Sequence, residues 1–172
     1  MKFFNYLVLF LILFNFNSYS EEKTIIRYID LEFVLKNSSV GKKINKEALS
    51  DRDKRSKENK KIEEKLETQK KDILSKQKIL NKEEFEKKVI SHQEEVKKYQ
   101  LKKNKENIEA NKKNLDLTKK LLKKIDQILL KYAEENKIDL IIKKDALIVS
   151  NSNKDITKLI LTKVDKEIKK VD

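Results

Sequence analysis

The chain lacks cysteine, proline and tryptophan, and its 172 residues include one glycine and one histidine. Without cysteine it cannot be a disulfide scaffold, a zinc–thiolate module or a thiol enzyme. One histidine removes most general-base chemistry and most metal clusters, and one glycine cannot build a phosphate-binding loop. We therefore predict no catalytic residue, no metal site and no cofactor, and we do not expect an enzyme.

The scarcity of glycine and proline also disfavours a fold with many tight turns and favours long helices. Charged residues make up 41% of the chain, and 42 basic against 29 acidic residues give a net charge of +13. Only three of the basic residues are arginine. An AT-rich genome would explain lysine in place of arginine, but it would not explain the excess of positive charge. An anionic partner is therefore expected.

The first twenty residues have the pattern of a secretory signal peptide. Lys2 precedes an apolar run over residues 3–16, and residues 17–20 end in small side chains before the charged Glu21. A transmembrane helix needs about twenty apolar residues, so this run is too short to span a membrane comfortably. We predict a signal peptide over residues 1–20 and export to the periplasm. A retained anchor is the alternative, and a lipoprotein is excluded because lipid attachment needs a cysteine.

Residues 42 to about 136 contain no glycine or proline and predict helix over nearly their whole length. One break is indicated near 80–82. Asn81 can cap a new helix, Glu84 stands three residues later, and Leu80 and Phe85 occupy the two positions of a hydrophobic staple. These signals predict that the chain turns back on itself, whereas the alternative is one straight helix through Asn81.

Two antiparallel helices folded about this turn should bring together residues whose numbers sum to about 163. The predicted seam pairs are Leu74 with Val89, Ile73 with Ile90, Leu66 with Val96, Ile62 with Leu101, and Ala48 with Leu115. A seven-residue repeat along the second helix supports this seam: Leu101, Ile108, Leu115, Leu122 and Leu129. Residues 50–61 contain no apolar side chain, so the arm is expected to bend or fray there.

The two ends of the chain predict a small β-rich body. Residues 24–30 read as a strand, residues 138–142 and 146–149 as a hairpin through 143–145, and Asp155 as the cap of a helix from 156 to about 171. On that last helix Ile156, Leu159, Ile160 and Val164 are expected on one face. A dense apolar stripe between residues 121 and 133 should pack on something broad, such as a sheet.

Three strands are few for an independent sheet, and open apolar edges favour aggregation. We therefore predict an α+β fold in which a coiled-coil hairpin arm (42–131) stands on a β-sheet body (21–41 and 132–172) completed between subunits. The candidate oligomer-interface residues are strand residues: Ile25, Ile26, Tyr28, Ile29, Ile141, Ile142, Ile148 and Val149.

Positive charge is concentrated on the second arm helix, where eleven lysines lie between residues 97 and 124 with only three acidic residues. Such a helix could attract acidic polypeptides or anionic lipid, although a solvated coiled-coil face would look the same. The candidate client-binding residues are Val96, Lys97, Lys98, Tyr99, Leu101, Lys102, Lys103, Lys105, Lys112 and Lys113. His92 has no second ligand within helical reach, so a structural role is expected.

Several segments resemble the Skp/OmpH family of periplasmic chaperones. They are residues 25–30 with Val34-Leu35, Gly41-Lys42-Lys43, the Lys/Glu-rich hairpin, residues 138–142 and Asp155-Ile156-Thr157. The resemblance covers the mature chain in order, and its ends are more specific than its hairpin. It implies a jellyfish-shaped homotrimer whose three arms enclose a cavity and hold unfolded outer-membrane β-barrel proteins without ATP. It also implies anionic lipid or lipopolysaccharide as a further partner, with no residue assigned.

The residues themselves favour a holdase that works by many weak contacts rather than by a nucleotide cycle. An exported structural coiled coil without clients is the alternative. A nucleic-acid binder is disfavoured by export, by the three arginines and by the lack of a groove-reading motif.

Overall fold

The structure is a computed structural model that describes residues 23–171. Its elements are strand β1 (Ile26–Ile29), helices α1 (Leu31–Asn37), α2 (Ser39–Ser75) and α3 (Lys82–Glu135), strand β2 (Leu140–Lys143) and helix α4 (Thr157–Glu167). Two short 3₁₀ turns, Lys144–Ala146 and Ser152–Lys154, lie between β2 and α4. The predicted signal peptide falls outside the described residues.

Helices α2 and α3 form the predicted hairpin arm. They contain 37 and 54 residues, so at 1.5 Å per residue they extend about 56 and 81 Å. Asn81 caps α3 as predicted, because its Oδ1 accepts a hydrogen bond from the Glu84 backbone amide at 2.9 Å. The turn at Asn81 is thus confirmed, and the straight helix is wrong.

The root of the arm begins where the short helix α1 meets α2. The Ser38 hydroxyl is fully buried and accepts a hydrogen bond from the Gly41 amide at 3.1 Å, which caps α2. A Cβ atom at Gly41 would overlap the carbonyl oxygen of Leu35 in α1. The only glycine of the chain is therefore needed for close approach of two helices.

The sheet is smaller than predicted. Strand β1 pairs in parallel with β2, with Ile26 opposite Leu140 and Ile29 opposite Lys143. On the other side of β1, the Ile156 amide donates to the Tyr28 carbonyl at 3.0 Å. The whole arm is thus the crossover between two neighbouring parallel strands, and both ends of the chain are tied to β1.

The predicted hairpin through 143–145 is wrong. The Leu147 amide donates to the Lys144 carbonyl at 3.1 Å, which closes a 3₁₀ turn that leads the chain away from β2. Ile148 and Val149 then lie exposed, at 101% and 87% of their reference areas. Among the described residues, 146–149 form no ladder with a strand, although Val149 lines a pocket together with Tyr28 of β1.

One apolar core joins strand β1 to all four helices. Its members include Ile29 of β1, Val34 of α1, Val40 of α2, Leu121 and Ile125 of α3, and Ile160 and Val164 of α4. The stripe between 121 and 133 therefore packs chiefly against helices, rather than on a sheet. Helix α4 ends at Glu167, earlier than predicted.

The predicted apolar face of α4 needs one correction. Leu159 is 43% exposed, and the buried positions follow a four-residue spacing from Ile156 through Ile160 and Val164 to Ile168. Leu159 lies one residue before Ile160, so it is turned about 100° away from that line. Asp155 Oδ1 accepts a hydrogen bond from the Thr157 amide at 2.8 Å, but the N-cap position of α4 is Ile156, one residue later than predicted.

Replacing Gly41 tests the close approach at the root of the arm. We expect Gly41→Ala to lower the free energy of unfolding by about 1–3 kcal/mol, because the new methyl group forces α1 and α2 apart. Urea unfolding followed by circular dichroism measures the change. Lys43→Ala, at an exposed position of the same helix turn, is the control and should change it by less than about 0.5 kcal/mol. Equal effects would contradict the packing argument.

Candidate functional site

The two arm helices meet along a seam of mostly three- and four-residue steps. The half-buried seam positions of α3 are Phe85, Val89, His92, Val96, Tyr99, Lys103, Glu106, Ala110 and Leu117. The corresponding positions of α2 include Ile44, Ala48, Asp51, Arg55, Asn59, Ile62, Leu66, Gln69 and Ile73. The predicted register is confirmed, since Glu63 contacts Tyr99 and Asp51 contacts Lys113.

The middle of this seam is polar. Arg55 Nε, Gln69 Oε1 and His92 Nδ1 are buried without a hydrogen-bond partner in the described chain. A cavity of about 450 Å³, lined in part by Ala48, Arg55 and Ala110, separates the helices near the root. Helix α2 nevertheless continues unbroken through residues 50–61. The helix therefore does not fray at this level, and the predicted weakness is present as poor packing between the helices.

A polar cluster replaces apolar contact at the level of Tyr99. The Tyr99 hydroxyl donates to Glu63 Oε1 at 2.5 Å, and Lys103 Nζ lies 2.8 Å from the same oxygen. Hydrogen bonds from Lys103 and Tyr99 lower the pKa of Glu63. Burial and the bond to Glu63 raise the pKa of Tyr99, and the same carboxylate raises the pKa of Lys103. Tyr99 and Lys103 thus link the two helices, which sequence reasoning had not foreseen for these client-binding candidates.

The pKa directions give a sign for the pH dependence of this cluster. Since the pKa of Glu63 is lowered in the folded chain, its contribution is present above pH 4.5 and is lost as the pH falls through the folded pKa. The contributions of Tyr99 and Lys103 are lost as the pH rises beyond 10 and 10.5 respectively.

Glu63→Gln should therefore lower the melting temperature at neutral pH, and the difference from the natural chain should shrink as the pH falls below 4.5. Thermal unfolding followed by circular dichroism at several pH values measures it. Glu64→Gln is the control, because Glu64 is the exposed neighbour on the same helix. A difference that stays constant from neutral pH into the acid range would contradict the role assigned to the Glu63 carboxylate.

The face of α3 opposite the seam carries the exposed apolar residues of this helix. The large apolar side chains that are at least half exposed are Ile90, Leu101, Ile108, Leu115 and Leu130. At about 100° per residue they fall within an arc of about 60°, roughly opposite the seam. The predicted pairs of Ile90, Leu101 and Leu115 are therefore wrong, whereas Leu74, although 53% exposed, lines the same groove as its predicted partner Val89. A seven-residue repeat fixes the period of a stripe but not the side of the helix on which the partner packs.

The lysine candidates are mostly exposed, and several make weak ion pairs. Lys102 lies 3.6 Å from Glu106, Lys105 lies 3.9 Å from Glu109, and Lys113 lies 3.6 Å from Asp51. Lys97, Lys98 and Lys112 are exposed, and Val96 is half-buried in the seam beside a groove of about 630 Å³. The arm therefore keeps a strongly positive surface, because eleven lysines face only three acidic residues between positions 97 and 124.

The candidate interface residues fall into two groups. Tyr28 and Ile29 are buried inside the chain, whereas Ile25, Ile26, Ile141 and Ile142 are half-buried and Ile148 and Val149 are exposed. The structure adds two apolar residues that strand patterns did not reveal. Leu130 of α3 and Leu140 of β2 are 66% and 49% exposed and line one groove of about 640 Å³.

Two kinds of site were also sought among residues 23–171. No group of three or more His, Asp or Glu side chains there could hold a metal ion. None of the helices in that range is both long enough and apolar enough to cross a membrane.

The family described as "Outer membrane protein (OmpH-like)" matches residues 25–164, from the start of β1 into α4. The chain belongs to this OmpH-like family. The match includes both the arm and the two parts of the body, so the resemblance seen in the sequence is confirmed. No curated protein matches.

A solved structure has the same fold as this OmpH-like chain. It is the crystal structure of an OmpH-like protein of Caulobacter crescentus CB15, proposed to be an outer membrane chaperone. The TM-score is 0.79 over 87% of this chain and 88% of the other, at 15% sequence identity. At that identity the likeness shows the fold alone: long helices on a small sheet, as predicted.

Proposed function

We propose that this OmpH-like chain is an ATP-independent periplasmic holdase that binds unfolded outer-membrane β-barrel proteins and prevents their aggregation before insertion. The observation that carries the proposal is an arm whose exposed face combines aliphatic side chains with a dense set of lysines. Family membership supports a chaperone role. The likeness to a protein proposed as an outer membrane chaperone is consistent with it.

Binding in this proposal needs no nucleotide. An unfolded polypeptide is held by mass action, because a protein that binds only the unfolded chain withdraws it from aggregation. Lysines along the arm attract carboxylates over several ångströms, and aliphatic side chains supply short-range contact. Several arms around one polypeptide add weak contacts through effective concentration. The same positive surface would attract anionic lipid or lipopolysaccharide.

The arms are brought together, in the proposal, by a homotrimeric body. The outer edge of β2 is unpaired within the described chain, and Ile148 and Val149, a few residues after β2, are exposed. Exposed apolar strand edges are stabilised when a second chain pairs with them. We keep the interface candidates outside the core (Ile25, Ile26, Ile141, Ile142, Ile148 and Val149) and add Leu130 and Leu140.

The proposal also keeps the division of the chain made from the sequence. Residues 1–20 would be a cleaved signal peptide, 21–41 and 132–172 the oligomerisation body, and 42–131 the arm. Tyr28 and Ile29 serve the core of one chain, so we withdraw them from the proposed contacts between subunits.

Light scattering tests the holdase proposal directly. A denatured outer-membrane β-barrel protein is diluted into buffer with and without the mature chain. We expect scattering to fall as the chain is added and to rise again as salt approaches about 1 M, where the Debye length is about 3 Å. Unchanged aggregation at every ratio and low salt would contradict the proposal and favour a structural coiled coil without clients.

Sedimentation tests the oligomer. We expect a trimer at micromolar concentration, and we expect Ile148→Asp combined with Val149→Asp to shift it toward monomer, because two charges would be buried at the shared edge. Lys57→Asp combined with Lys60→Asp, at exposed arm positions, is the control and should leave the mass unchanged. A folded, stable monomer of the natural chain would overturn this part of the proposal.

A further inference from the structure

The middle of α3 presents its aliphatic residues away from its partner helix. Between residues 99 and 110 the seam holds Tyr99, Lys103 and Glu106, whereas Leu101 and Ile108 point to the opposite side at 62% and 68% exposure. A helix of this composition would gain stability from the reverse arrangement. Local departures of this kind from the folding pattern are expected at functional surfaces.

Two parallel rows of side chains define this surface. We call Leu101, Ile108 and Leu115 the aliphatic row, and Lys105, Lys112 and Lys119 the lysine row. Successive members of each row are seven residues, or about 10.5 Å, apart along the helix. Each lysine follows its aliphatic neighbour by four residues and therefore lies beside it on the same face.

The lysine row is available to an outside partner. Lys105 is 3.9 Å from Glu109, with its side chain 77% exposed. Lys112 and Lys119 are exposed and form no ion pair within 4 Å among residues 23–171. The row therefore offers three ammonium groups whose charge the described chain leaves almost uncompensated.

A folded helix is a poor occupant for this face. In a coiled-coil seam both alternating core positions are apolar. Here every second position would be a lysine, and packing a helix over it would remove three ammonium groups from water at a large cost. A second copy of α3 is also disfavoured, since it would bring two lysine rows together.

An extended chain avoids that cost. Side chains of the extended segment can contact the aliphatic row. The lysines can pack their methylene stems along the same segment and keep their ammonium groups in water. Carboxylates on the same segment would meet the ammonium groups at the rim. We infer that the rows Leu101/Ile108/Leu115 and Lys105/Lys112/Lys119 form the client-binding face, and that they select unfolded segments in which aliphatic or aromatic residues stand next to Asp or Glu. This inference rests on the proposed holdase function and identifies the substrate class of its arm.

The position of Leu130 limits the extent of this face. It lies on the same side of α3, but it shares a groove with Leu140 and Ile141 of the body. Its neighbours in sequence include Asp126 and Glu134, so the lysine row does not continue there. We therefore assign the exposed apolar side of α3 to two partners. The aliphatic row contacts a client segment, and Leu130 at the root of the arm contacts a second subunit.

Paired variants test the aliphatic row. The change is Ile108→Ser with Leu115→Ser, and the matched control is Leu49→Ser with Leu74→Ser, two leucines of α2 at 51% and 53% exposure. The measurement is the affinity, by fluorescence anisotropy, for a labelled unfolded β-barrel polypeptide in low urea. We expect the first pair to weaken binding about tenfold or more and the control pair by less than about threefold, because only the first removes the contact. Equal losses would overturn the inference.

A second pair tests the lysine row and the substrate class. Lys112→Gln with Lys119→Gln should weaken binding of an acidic unfolded peptide and flatten its salt dependence, and it should leave a peptide with Asn and Gln in place of Asp and Glu unaffected. Lys57→Gln with Lys60→Gln, two exposed lysines of α2, is the control. Equal effects on both peptides, or of both variants, would contradict selection of acidic segments.

Cross-linking gives a readout that does not depend on variant stability. Since the chain has no cysteine, Leu115→Cys and Leu49→Cys each provide one site for a photoreactive probe. We expect client adducts at position 115 and few at position 49. If the natural chain fails to suppress aggregation, the holdase proposal itself fails. If it suppresses aggregation but adducts form equally at both positions, only the assignment of this face fails.

Discussion

The structure depends on one apolar core at the root of the arm. Five of its residues are at most 1% exposed and come from three helices far apart in sequence: Val34, Leu121, Ile125, Ile160 and Val164. Along the arm itself only Leu66 of the seam is buried. Because burial of aliphatic side chains is the main source of stability, the two long helices gain little from each other. Their direction is therefore set where they leave the core, which explains the close packing at Gly41 and Ser38.

Much of this architecture could be predicted from the sequence because its signals are local. Asn81 followed by Glu84 identified the turn, and the antiparallel register about that turn placed Ile62, Leu66 and Ile73 on the α2 side of the seam. The core stripe at Leu121 and Ile125 was equally clear. In each case a short spacing determines the outcome, and no distant residue competes with it.

The errors arose where a pattern has two physical solutions. A leucine every seven residues can face the partner helix or face away from it, and period alone cannot distinguish them. For Leu101 and Leu115 the choice is made by Tyr99 and Lys103, whose bonds to Glu63 fix the opposite side as the seam. The run at 146–149 is similar. Its β-branched residues favour a strand, but a strand needs a partner strand, and after the 3₁₀ turn at 144–146 the run pairs with neither of the described strands.

A weakly packed arm and a firm root suit different tasks. Buried atoms of Arg55, Gln69 and His92 lack hydrogen-bond partners in the described chain. Separating the helices there would therefore break few hydrogen bonds. Such segments open at low free energy, while the core remains closed. Under the proposed holdase function, an arm of this kind would adjust its spacing to polypeptides of different size without unfolding its base. The same property would be a defect in a rigid spacer, whose length and stiffness need an apolar seam throughout. The polar seam therefore favours a binding arm over a purely structural rod.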